Sequence, residues 1–123
     1  MSRFVLLDST VIFDHLLGRF GRREFLRELV LRGFVLACCS VNITETYAGL
    51  RLSEELRTEA LLQSLDCLTV TPEIAKRAGL IRRDWLKKGY NLSYSDVTIA
   101  SVAITHDAPL LTENSKHFPM SEI

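Results

Sequence analysis

The chain has 123 residues, 47% of them apolar, and its 15 Lys and Arg are matched by 15 Asp and Glu. That length suits a single domain, residues 1–123, able to bury a core without disulfides or a structural metal. A net charge of zero excludes a generally basic nucleic-acid binder, so any such surface must be local.

The first apolar run, Phe4-Val5-Leu6-Leu7, stops at Asp8. It is too short for a signal-peptide core or a membrane span, which predicts a soluble, cytoplasmic protein. It reads instead as a buried strand of a parallel sheet. A helix follows from about Ser9 to Leu17, stopped by Gly18. A second covers Gly21 to Arg32, with Phe25, Leu26, Leu29 and Val30 as its apolar stripe. Phe34 to Cys39 reads as the second strand, and Ser40 or Asn42 as the cap of a helix reaching Leu50. An amphipathic helix spans Ser53 to Leu65, and a short strand Leu68 to Thr71. Thr71-Pro72 starts a helix that ends near Gly89. Ser93 caps a helix running to Thr105, so apolar that it must be buried. Pro109 to Thr112 is the last strand. Alternating strands and helices define an α/β domain with a central, mainly parallel sheet flanked by helices. Cys38, Cys39 and Cys67 form no Cys-x-x-Cys pair, which predicts reduced, mostly buried thiols.

Ligands of such sheets bind beyond the carboxyl ends of the strands. Three acids stand there: Asp8 after the first strand, Glu45 in the helix after the second, and Asp96 at the start of the buried helix. Each alone is explained as a helix-terminal acid. Asp8 can be an N-cap, while Asn42 with Glu45 and Ser93 with Asp96 have capping-box spacing. Together they border segments too apolar for a surface. Converging carboxylates repel one another, and a divalent cation compensates. Oxygen ligands without sulfur or clustered His select Mg²⁺, with Mn²⁺ as a substitute. Asn114, after the last strand, is a fourth candidate. On that strand Thr112 and Asn114 share one face and Glu113 takes the other.

The ordered segments Phe4-Val5-Leu6-Leu7-Asp8-Ser9-Thr10-Val11-Ile12, Val41-Asn42-Ile43-Thr44-Glu45, Leu92-Ser93-Tyr94-Ser95-Asp96-Val97-Thr98-Ile99-Ala100 and Leu111-Thr112-Glu113-Asn114-Ser115-Lys116-His117-Phe118 cover nearly the whole chain. In that order they resemble a PIN-domain ribonuclease, most closely a VapC-type toxin of a toxin–antitoxin pair. The resemblance implies a PIN-like three-layer sandwich. It also implies an Mg²⁺-dependent endoribonuclease in which Asp8, Glu45 and Asp96 are the acidic residues and metal ligands. Asp8 and Asp96 are then the principal ligands, and Glu45 holds a water or acts as general base. Water attacks the phosphodiester in line and leaves a 5′-phosphate. Ser9, Thr10 and Thr112 are implied to orient the carboxylates.

Two departures stand out. The family's fourth acidic position falls on Asn114, and His117 replaces the Asp that many relatives carry before the Phe. Both make the site less anionic and favour one well-held Mg²⁺. RNA contact is expected from Arg19, Arg22, Arg23 and Arg27, or from Arg82, Arg83, Lys87 and Lys88. Tyr94 either stacks on a base or packs in the core. The implied partners are an RNA substrate, a small cognate antitoxin and a second copy of the chain. Two other functions compete: an Asp-based phospho-acceptor or phosphatase on a similar sheet, and a non-catalytic interaction domain of the same fold.

Overall fold

The computed structural model describes residues 3–123. Met1 and Ser2, which open the segment read above against a leader, lie outside the described residues. Four parallel strands form the sheet, in the order β3-β2-β1-β4: β1 Phe4–Leu7, β2 Val35–Cys39, β3 Asp66–Leu68 and β4 Leu110–Leu111. Six helices surround it: α1 Ser9–Leu17, α2 Arg22–Leu31, α3 Ser40–Gly49, α4 Glu55–Ser64, α5 Pro72–Lys87 and α6 Tyr94–Thr105. No helix among the described residues is long and apolar enough to cross a membrane.

Alternation along the strands builds the three layers. Leu6, Ala37, Cys39 and Leu68 face α5 and α6, packing on Ile74, Ala78, Val97, Ile99, Ala100 and Ala103. Val5, Leu7 and Cys38 face the other way, onto Val11, Ile12 and Leu16 of α1, Leu26 of α2, and Leu65 after α4. The adjacent Cys38 and Cys39 therefore enter opposite cores, as alternation requires. Cys67 is exposed, because β3 is an edge strand. The expectation of mostly buried thiols fails for this residue.

α3 crosses the carboxyl end of the sheet, placing Val41 against one core and Ile43 against the other. This crossing carries Glu45 to the strand ends.

Helix boundaries follow local chemistry. Asp8 caps α1 with its own side chain, and Gly18 ends it in the left-handed conformation at φ 67°. Thr71 Oγ1 and Ser93 Oγ cap α5 and α6. Other boundaries differ from expectation. The cap of α3 is Cys39; Asn42 sits one turn in and accepts the Cys39 N–H at 2.8 Å. Neither Ser40 nor Asn42 is the cap, and Glu45 is free of the capping-box role. Residues 52–54 form a 3₁₀ turn before α4. β3 lies two residues earlier than the apolar run suggested, because pairing with β2 aligns Cys38 with Cys67 and Cys39 with Leu68. An edge strand tolerates the polar Asp66 that a buried run would not. β4 ends at Leu111, so Thr112, Glu113 and Asn114 lie in a bend and have no strand alternation to share.

Candidate active site

Asp8 extends β1 by one residue, and its N–H donates to Leu111 O at 2.8 Å. That bond places it beside the end of β4. It is only 5% exposed, yet both carboxylate oxygens are satisfied. Oδ1 accepts the Ser9 N–H at 2.9 Å. Oδ2 accepts the hydroxyls of Thr10 at 3.1 Å and Thr112 at 2.8 Å. Buried charge is tolerable when hydrogen-bonded in this way. Thr112 Oγ1 in turn accepts the Asn114 N–H at 2.9 Å, and Thr10 Oγ1 accepts the Glu113 N–H at 3.1 Å. The two threonines thus tie the bend after β4 to the carboxylate.

Glu45 reaches the same edge from α3. Its Oε1 accepts the Ser9 hydroxyl at 2.8 Å, and Ser9 Oγ accepts from Asn42 Nδ2 at 3.1 Å. Burial pushes the Glu45 carboxyl above its ordinary range. The Ser9 hydrogen bond opposes this, and the negative charges of Asp8 and Asp96 reinforce it. Asp96 stands in the first turn of α6, where its N–H donates to Ser93 Oγ at 3.0 Å. Burial raises its carboxyl too, against relief from Ser93 and His117, with Asp8 adding to the rise. His117 Nδ1 lies 3.3 Å from Asp96 Oδ2.

The structure therefore brings Asp8, Glu45 and Asp96 into one electrostatic unit, with Ser9, Thr10 and Thr112 bonded to its carboxylates. Asn114 joins through its backbone. Glu113 faces away and pairs with Arg22 of α2, which leaves it outside the acidic set. Among the described residues no three His, Cys, Asp or Glu side chains close into a ready-made metal cage. Carboxylate oxygens are instead engaged by hydroxyls, the Ser9 N–H and His117. The donor set still suits a hard cation: it is all oxygen, and Glu45 and Asp96 are held above their ordinary range by burial first and then by neighbouring carboxylates, Asp8 acting on both.

Two participants escaped the sequence. His117 departs from the family pattern in the sequence, while its pairing with Asp96, 21 residues away, has no local signature. Asn42 seemed a cap, yet it is fully buried and bridges the Cys39 N–H to Ser9 Oγ. Its signal was an amide inside the apolar run Val41-Asn42-Ile43. Asn42→Ala should cost roughly 1–3 kcal/mol, since it strands a buried donor; urea unfolding measures it.

The basic clusters are partly committed. Arg23 caps the end of α1 through His15 O at 2.8 Å and Leu16 O at 3.0 Å. Arg22 is paired with Glu113. A groove of about 520 Å³ lies between α2 and α4, lined by Leu26, Val30, Phe34, Leu61 and Leu65. It contains none of the three acids.

A PIN domain family model matches residues 5–120. Ribonuclease VapC19 of Mycobacterium tuberculosis is 36% identical over 115 residues, covering 94% of this chain and 92% of that protein. Ribonuclease VapC10 of the same organism is 34% identical over 118 residues, covering 96% and 88%. In shape, the chain resembles VapBC2 from Rickettsia felis bound to a promoter DNA fragment, with TM-score 0.83 and 20% identity over 98% of this chain and 95% of that one. It also resembles DNA-bound VapBC from Salmonella typhimurium, with TM-score 0.80 and 21% identity over 98% and 92%. The two solved structures speak to the fold alone.

Proposed function

This chain belongs to the PIN-domain family, alongside the VapC ribonucleases, and from that premise we propose that it is an Mg²⁺-dependent endoribonuclease acting as the toxin of a toxin–antitoxin pair. The observation that carries this reading is the convergence of Asp8, Glu45 and Asp96, from three separate elements, at the carboxyl edge of the sheet. Their mutual repulsion is what a divalent cation relieves.

Asp8, Asp96 and Glu45 are the residues that would hold the ion, with Mn²⁺ able to replace Mg²⁺. When bound, the cation makes water a better nucleophile and offsets charge on the scissile phosphate. The chain's own residues do the rest. Three hydrogen bonds fix the orientation of Asp8. Glu45, held at Oε1 by the Ser9 hydroxyl, is the acid proposed to accept a proton from the attacking water. His117 moderates the charge at Asp96. Asn114 is the candidate contact for a substrate oxygen.

RNA cleavage tests the reading in three arms: Mg²⁺, EDTA, and Asp96→Ala with Mg²⁺. Cleavage is expected in the first alone; activity that survives both EDTA and the substitution overturns it. Thr112→Val removes a donor to Asp8 while keeping the side-chain shape. It should weaken Mg²⁺ binding roughly 10–100-fold by calorimetric titration.

The whole chain is proposed to act as one cytoplasmic domain. A small cognate antitoxin and a second copy of the chain are the proposed protein partners, and exposed Leu52 and Leu56 offer apolar surface for such contacts.

A further inference from the structure

Beside the acids stands a ring that the mechanism above does not use. Tyr94 opens α6 two residues before Asp96 and is 73% exposed, which excludes the core-packing role. An exposed tyrosine ordinarily moves among rotamers. This one has the Arg82 guanidinium over its face, 4.5 Å from the ring centroid. Arg82 is itself anchored, for Nε donates to Leu92 O at 2.9 Å and Nη2 to Asn91 Oδ1 at 3.0 Å. The loop that Arg82 grips leads directly into Ser93, whose hydroxyl caps the turn carrying Asp96. Ring, cation and acid therefore share one short rigid unit.

We propose that the Tyr94–Arg82 stack is a platform for one unpaired nucleobase flanking the scissile phosphate. This rests on the nuclease reading. A base presents a π-face whatever its identity, so a lone aromatic serves without sequence readout. Arg82 supplies positive charge beside an acidic edge that otherwise repels phosphate. The exposure of Tyr94 leaves ring surface open to a base. In an A-form duplex the bases are stacked on one another and offer no face to the ring.

The test is binding of an unpaired RNA oligonucleotide containing 2-aminopurine, in EDTA so that cleavage does not interfere. Wild type and Tyr94→Phe should bind alike and quench the probe. Tyr94→Ala should bind about tenfold more weakly and lose the quenching. The same oligonucleotide in a duplex should bind more weakly to wild type. The platform is overturned if Tyr94→Ala binds and quenches like wild type, or if the duplex binds as well as the single strand. It is equally overturned if Tyr94→Ala changes only the oligomeric state on gel filtration, which would assign the ring to a protein contact. The two readings fail separately. A wild type that binds and quenches but never cleaves in Mg²⁺ sinks the nuclease and leaves the platform; one that cleaves while Tyr94→Ala binds normally sinks the platform alone.

Discussion

Asp8→Ala is expected to abolish RNA cleavage, by a factor on the order of a thousand or more, and to destabilise the protein as well. The two losses have one origin. Asp8 is an acid of the proposed metal site and also the side-chain cap of α1. Its oxygens receive Ser9 N–H, Thr10 Oγ1 and Thr112 Oγ1, linking β1, α1 and the bend after β4. Deleting the carboxylate removes a cap and strands donors in a half-dry site, together roughly 2–4 kcal/mol. Urea unfolding reads the stability and a gel assay the cleavage. If Asp8→Ala unfolds at the same urea concentration as wild type, the hydrogen-bonded role assigned to this carboxylate is wrong.

Glu45→Gln should have the opposite effect on stability. It abolishes cleavage but raises the thermal midpoint of the metal-free protein at pH 7. The Glu45 carboxyl is held above its ordinary range by burial first, then by Asp8 and Asp96. Across the window between its ordinary and its raised value, the folded chain binds more protons than the unfolded chain. Stability therefore falls as pH rises through that window, and above it a constant penalty remains. Glutamine keeps an acceptor for the Ser9 hydroxyl without the charge. Because the site is partly open to solvent, the gain is modest, roughly 0.5–1 kcal/mol, or about 2–5 °C at this chain length. The advantage should vanish below the ordinary carboxylate range, where wild type is neutral at this position too. Saturating Mg²⁺ should also erase it by stabilising wild type selectively. Calorimetric melts at pH 4 and pH 7, with and without Mg²⁺, check all three statements. A Glu45→Gln midpoint below wild type at pH 7 without metal would contradict the electrostatic account.

The opposed signs at Asp8 and Glu45 show why three acids alike in sequence are unlike in the fold. Asp8 lies at the junction of two strands and a helix, where donors surround it. Glu45 has Ser9 and Ser95, and Asp96 has Ser93 and His117, with negative neighbours beyond. The same contrast separates Asn42 from an ordinary cap. Its amide was visible in an apolar run, but its partners are Cys39 N–H, three residues back, and Ser9, thirty-three residues away. The expected strand face shared by Thr112 and Asn114 failed because β4 stops at Leu111. Thr112 nevertheless reaches Asp8, from a bend.

By itself the sequence determined the alternation of strands and helices, the two-faced burial of β1 and β2, the caps at Thr71 and Ser93, and the order in which the acids arrive. These depend on periodicity and on hydrogen bonds spanning a few residues, and such forces are written locally. Only the tertiary structure decided which acid is sheltered and which is strained, that Glu113 turns to Arg22, that Cys67 and Tyr94 are exposed, and where β3 pairs. Those outcomes depend on contacts such as Ser9 with Glu45 and Thr112 with Asp8, 36 and 104 residues apart. Strand register and the crossing of α3 over the sheet edge set such contacts, and no local pattern encodes them.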